Sequence, residues 1–214
     1  MIQVKTLQAA SGAIFAVFVA LHLINTALAA FGMAAYDTFQ EAVRSIYQAF
    51  LVEVVLLSAL IVHVLCGIVR MVKERGIERS ARAKWHRYAG IFLLVVIAGH
   101  IMAVRGPSWF YGIYPGFEGL AFSIDFAPYY FFPYYFLLGV GGFYHALNGL
   151  SVGLPRLGLR LRIDNSVLAR STAVAAVVMF AALLGLAGVW TDVGAPYDSE
   201  FAKLALEIWN GFST

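Results

Sequence analysis

Five stretches of this chain run almost uncharged for about 17 to 25 residues, the length over which a helix crosses the hydrocarbon of a bilayer. They lie roughly at 7–31, 50–71, 88–104, 130–154 and 167–190. Nothing else constrains the fold as much, because a backbone inside lipid must satisfy its own N–H and C=O groups, and runs of this length do so as helices. Composition agrees. Hydrophobic residues make up 61% of the 214 and charged residues 13%, with a mean hydropathy of +0.79. A water-soluble domain carries about 45–50% apolar and about 25% charged residues. The expectation is one all-α integral membrane domain over residues 1–214 with five transmembrane helices. No Pro/Gly/Ser-rich linker divides it, and no cleavable leader is evident ahead of the first run, where Lys5 is the only charge.

The net charge of +3 reads as sidedness rather than as an anionic partner, and no nucleic-acid partner is expected. The end of the bundle that carries the N-terminus, side A, holds Lys5 and the basic stretches 70–87 and 156–170. Together these supply 12 of the 15 Lys and Arg residues, against three acids. Side B holds Arg44, Arg105 and Lys203 with eight loop acids, and Glu53 lies inside the second run. Basic loops stay in the cytoplasm, so the N-terminus is expected there and the C-terminus outside. The single cysteine, Cys66, sits within a run and reads as a small packing residue.

Side B is the more elaborate face. Phe39, Val43, Tyr47 and Phe50 recur at helical spacing, as do Phe201, Leu204 and Ile208, so each set predicts a short helix lying on the membrane surface. Between them, SWFYGIYPGFEGLAFSIDF at 108–126 is aromatic and nearly uncharged. It reads either as an interfacial aromatic belt or as a lid over a site for an apolar ligand.

Four of the five histidines stand deep in the first four runs: His22, His63, His100 and His145. An ionisable group at that depth is costly and marks a functional site by default. At 1.5 Å per residue from side A, His22 and His100 lie about 20 Å in, and His63 and His145 roughly 12–15 Å in. They therefore form an outer and an inner pair. The flanking residues divide the same way. Gly12 and Gly90 each precede an outer histidine by the same spacing, GAIFAVFVALH and GIFLLVVIAGH, while Gly67 and Gly149 each follow an inner one, HVLCG and HALNG. A glycine beside a ligand lets a bulky planar group approach the backbone. Zinc asks for about four N, S or O donors, and no cysteine or acid is placed to complete such a set. Haem asks for two axial ligands and an apolar slot between helices. The first four helices are therefore expected to form a four-helix bundle holding two b haems, with His22, His63, His100 and His145 as iron ligands. His86, in KWHRY at the side A end of the third run, reads as an interface residue or a neighbour of a haem propionate.

With these residues in hand, the chain resembles the single-chain, five-helix, di-haem cytochrome b subunit of the succinate:quinone oxidoreductases and quinol:fumarate reductases. QAASGAIFAVFVALHLINTALAAFG at 8–32 is similar to that family's first helix, and histidines in four successive helices precede a histidine-free fifth. The resemblance covers nearly the whole chain. It implies axial pairs His22 with His100 and His63 with His145, and propionate contacts from Gln8 and Arg156. It implies a bacterial or archaeal cytoplasmic membrane and, on side A, an iron–sulfur subunit docked to a flavoprotein that interconverts succinate and fumarate. FAD and the iron–sulfur clusters would reside in those partners. Menaquinone, or another quinone, would react near the outer haem. Some members carry an acid two residues before the fourth-helix histidine. Here that residue is Phe143, which puts that proton route in doubt.

The function implied is electron transfer between that cytoplasmic flavoprotein complex and membrane quinone through the two haems, in either direction. The chain contains no flavin motif and no cysteine cluster, so it cannot itself act on the dicarboxylate. The alternatives are a stand-alone di-haem cytochrome moving electrons between quinol and another carrier, and a non-redox polytopic scaffold whose histidines only pack. Oligomeric state is open, a higher oligomer included. Quinone chemistry needs a proton carrier, for which Asp37, Glu41 and Glu53 are the candidates. Glu53, the one acid within a run, is the first choice.

Overall fold

The computed structural model describes residues 3–212. Eight α-helices follow one another: α1 (Val4–Leu28), α2 (Met33–Tyr47), α3 (Phe50–Lys73), α4 (Ala81–Tyr111), α5 (Phe117–Phe126), α6 (Pro128–Gly153), α7 (Asn165–Leu186) and α8 (Glu200–Phe212). Short 3-10 turns extend α1 over Ala29–Phe31 and α6 over Leu154–Leu157. No strand occurs among the described residues. Among the described residues, four helices are long and apolar enough to cross a membrane: α1 with its 3-10 extension, α3, α4 and α7. The molecule is thus an all-α, multi-pass membrane protein. α6 is as long as these, at 26 residues. Its first half, PYYFFPYYF, is rich in tyrosine, and the phenolic oxygens make it less apolar than the other four.

The long helices carry their apolar side chains outward. Val17, Leu51, Val95 and Val177 are each at least 66% exposed, whereas Ser11, Asn25 and Asn148 are buried. Lipid solvates the outer faces, so cohesion has to come from close packing of small residues. A Cβ on Gly185 of α7 would stand 2.5 Å from the Ala29 carbonyl oxygen, and one on Gly139 of α6 would stand 2.7 Å from Met179 Sδ on α7. These glycines bring α7 against α1 and α6. α1 also packs on α3 and α6, and α4 packs on α6.

Polar contacts fix which ends lie together. At one end Glu74 gathers Lys5 (3.6 Å), Arg70 (3.2 Å) and Arg79 (3.2 Å). There too the Arg82 guanidinium donates to Asn148 Oδ1 and the Ile163 carbonyl (each 2.6 Å) and to Ser151 Oγ (3.1 Å). The basic stretches therefore share one end of the bundle. At the other end Asp37 Oδ1 accepts the Phe117 N–H (3.0 Å), Glu118 Oε1 accepts the Ala195 N–H (3.1 Å), and the Trp190 ring N–H donates to the Ala30 carbonyl (3.0 Å).

Three sequence expectations need correction. The third run does not stop near 104. Its helix continues past Arg105 to Tyr111, and Gly112, at φ 71°, ends it in the left-handed region that favours glycine. The stretch 108–126 is not a loop: its second half is α5, whose Phe117, Phe122 and Ile124 are buried. Phe117 and Ile124 pack with Tyr36, Ala182, Leu183 and Leu186, so this half lines the interior of the side B end, while Trp109, Phe110, Tyr111 and Tyr114 in the first half are exposed. The fifth helix ends at Leu186 rather than near 190, with Gly188 at φ 75° just beyond. The two stretches expected as short helices on side B fold as α2 and α8, but Phe50 begins α3 rather than ending α2, and α2 buries Tyr36 in that same core.

Candidate cofactor site between paired histidines

The four deep histidines meet in two pairs. His22 of α1 faces His100 of α4 with ring centroids 6.0 Å apart, and His63 of α3 faces His145 of α6 at the same 6.0 Å. In both pairs the two histidines come from helices that are not packed neighbours, so the rings approach across a space between backbones. Two metal–imidazole bonds of about 2 Å each, with about 1.1 Å from each nitrogen to its ring centre, place facing centroids roughly 6 Å apart. Both pairs have that spacing. Among the described residues, no three His, Cys, Asp or Glu side chains gather as a metal ion's donor set. Each level offers two imidazoles, the donor set of a bis-histidine haem.

The inner pair is held by one device used twice. His63 Nδ1–H donates to the Gln8 carbonyl oxygen (3.1 Å), and His145 Nδ1–H donates to the His86 carbonyl oxygen (3.3 Å). A carbonyl only accepts, so the proton of each neutral ring sits on Nδ1 and Nε2 keeps its lone pair for a metal. One helical turn beyond each carbonyl stands a glycine. A Cβ on Gly12 would lie 2.7 Å from His63 Nδ1 and Cε1, and one on Gly90 would lie 2.9 Å from His145 Cε1. Only glycine leaves room for those rings. Gly12 and Gly90 therefore serve the inner pair, although their spacing first tied them to the outer one. A Cβ on Gly67 would lie 3.3 Å from Gln8 Nε2, and one on Gly149 would lie 3.5 Å from His86 Cε1. Gln8, Gly12 and His22 on α1 are spaced as His86, Gly90 and His100 are on α4, and His63–Gly67 on α3 repeats as His145–Gly149 on α6. The helix pairs α1–α3 and α4–α6 are thus two versions of one arrangement.

The outer pair is set among aromatic rings. Phe18 stacks on His22 (5.6 Å, 15°) and meets the edge of Tyr47. The Tyr134 hydroxyl lies 3.4 Å from His100 Nδ1, and Tyr130 stacks on Tyr134.

Other predicted site residues fall as follows. Gln8 Oε1 accepts from Arg70 Nη1 (2.8 Å), so Arg70 is the cation beside Gln8, and Arg156 is exposed in the turn after α6. Trp85 is exposed, but His86 turns inward onto His145, correcting its reading as an interface residue. Glu53 pairs with Arg105 through both carboxylate oxygens, one contact being 2.9 Å from Nη2 to Oε2. Arg105 also contacts Ser108 Oγ and lies 5.4 Å from the Trp109 ring centroid. Asp37 is occupied as the cap of α5, where burial pushes its carboxyl above the usual range against the pull of the Phe117 N–H. Glu41 lines a cleft of about 390 Å³ with Arg44, Gln48 and Tyr114. The three acids thus occupy separate settings.

Sequence reasoning missed the Gln8 and His86 carbonyls, Tyr134 and Arg105. The equal spacing of Gln8 and His86 before their glycines was the signal for the first two. No protein-family model matches this chain, and neither does any curated protein or solved structure compared with it.

Proposed function

We propose that this chain is a di-haem membrane cytochrome b subunit. In this reading it links a cytoplasmic iron–sulfur flavoprotein active on succinate or fumarate to membrane quinone. Its first four long helices, α1, α3, α4 and α6, form the haem bundle and α7 is the fifth span. The observation that carries the reading is the inner pair. Two imidazoles stand at bis-ligand spacing, each with Nδ1 committed to a backbone carbonyl and each backed by a glycine. A packing histidine needs none of these three features together.

His63 and His145 would hold the inner haem, and His22 and His100 the outer one. Each haem supplies a one-electron centre whose potential follows from its ligands, their hydrogen bonds and burial. The protein's work is to orient and seclude. The Gln8 and His86 carbonyls fix ring tautomer and raise ligand basicity, as second partners of metal-bound histidines do. Phe18, Tyr130 and Tyr134 surround the outer ligands with rings that exclude water. Glu53 would exchange protons with quinone at side B. Both of its oxygens are engaged by Arg105, so uptake of a proton there has to open that pair. The basic end, with Arg75, Arg160 and Arg162 exposed, supports docking of a soluble partner on the cytoplasmic face.

The test is a reduced-minus-oxidised absorbance spectrum of purified protein with haem counted per chain. Two b haems are expected. His63→Ala should remove one and His22→Ala the other. A protein without a haem band, or one in which both variants deplete the same haem, would sink the reading. Flavin and iron–sulfur signals in a mild-detergent preparation distinguish the complex subunit from a stand-alone cytochrome.

A further inference from the structure

The two ends of the inner pair are built alike except at one position. Gln8 and His86 occupy equivalent places, each offering its carbonyl to an inner histidine. Their side chains behave differently. Gln8 turns aside to Arg70 (2.8 Å). The imidazole of His86 instead lies flat on that of His145, with centroids 4.2 Å apart and planes within 5°. A Cβ on Gly149 would lie 3.5 Å from His86 Cε1, an ordinary contact. His86 Nδ1 is buried with no hydrogen-bond partner in the polypeptide, a costly arrangement for a residue that served only to fill space. His63 is therefore gripped by a carbonyl and a glycine, whereas His145 is gripped by a carbonyl, a glycine and a stacked ring.

We infer that His86 is a positioning residue that locks the plane of the His145 imidazole, making the two ligands of the inner site mechanically unequal. This rests on the haem reading above. The His63 and His145 rings stand 89° apart. No ring is stacked on His63 among the described residues, whereas His145 cannot turn without breaking its stack with His86. The angle between axial imidazole planes governs the anisotropy of a low-spin ferric haem, and ligand orientation tunes its potential. His86 would hold both of these properties for the inner haem alone.

The experiment uses the full-length protein in detergent and three variants: His86→Ala, which removes the stack; His86→Phe, which keeps a flat ring; and His86→Gln, which copies the Gln8 end. Low-temperature EPR and a spectroelectrochemical titration are read for each, with the inner signal identified by its loss in His63→Ala. His86→Ala and His86→Gln should keep two haems while shifting the inner haem's low-field EPR feature and midpoint potential. The outer haem should be unchanged, and His86→Phe should stay near the wild-type inner signal. Inner-haem loss in Ala and Gln with retention in Phe would support the same role. An inner signal indifferent to His86→Ala would overturn this inference and leave the haem reading standing, as would equal shifts in both haems or loss of the inner haem in Phe. A wild-type protein lacking haem would overturn both.

Discussion

A single missing methyl group decides whether the inner histidines fit. At Gly12 a Cβ would sit 2.7 Å from two atoms of the His63 ring, and the ring cannot retreat without giving up its bond to the Gln8 carbonyl. Overpacking of this kind costs about 1–3 kcal/mol, and it falls on the His63 ring, the proposed ligand, rather than on the bundle at large. Gly12→Ala should therefore lose the inner haem and keep the outer one. Gly67→Ala should retain both, since its new methyl would meet only the flexible end of Gln8 at 3.3 Å. Haem content and the reduced spectrum of the two variants check this. The histidines were legible in the sequence because an ionisable group is too costly at membrane depth to persist there without a role. Their pairing was legible because rise per residue converts position to depth. The carbonyls that hold His63 and His145 were not, because every residue has a carbonyl and only the packing of one helix against another selects which one accepts.

At the scale of helices, the long apolar runs announced themselves and their ends did not. Hydropathy falls off near Arg105 and Pro107 would ordinarily end a helix, yet the backbone of α4 runs on through it to Tyr111 and stops only at Gly112. α5 stayed hidden for the opposite reason. It is buried on several sides, so it carries no polar stripe and shows no amphipathic period, and it starts on a cap, Asp37, that another helix supplies. Charge ties elements together on the basic side, where Glu74 joins the start of α1 to the end of α3. Burial raises that carboxyl's pKa, but Arg70, Arg79 and Lys5 outweigh it and hold the group below its ordinary range. Because the folded value is depressed, the stabilisation is fully present above the usual carboxylate range and is lost as pH falls through the lower folded value. Thermal unfolding in detergent should show an acid-side decline that Glu74→Gln flattens. An identical decline in the variant would assign the acid sensitivity elsewhere.

For the molecule as a whole, charge counts divided the loops into two groups, and the ion pairs and caps gather the same two groups at opposite ends. What counting could not reveal is which cations are already spent. Arg82 is bound internally by Asn148, Ser151 and the Ile163 carbonyl, and Arg79 by Glu74. A docking face is better probed at Arg160 and Arg162. Their joint reversal to Glu should weaken co-purification of a soluble partner with haem content intact, and undiminished co-purification would move the contact elsewhere. On the opposite face, Glu53→Gln should slow haem reduction by a menaquinol analogue by at least roughly tenfold, the usual effect of removing a general acid or base, with normal spectra. A normal rate would leave Glu53 as a partner of Arg105 only. The doubled arrangement of α1–α3 and α4–α6 has a last consequence, which concerns time rather than space. Each pair draws one histidine from each copy, so no site exists in a nascent chain that has made only the first. The outer pair is complete once the ribosome has passed His100, whereas the inner pair must wait for His145. On the proposed reading, maturation has a built-in order: the site nearer the quinone side becomes competent first, and the one nearer the cytoplasm closes the sequence.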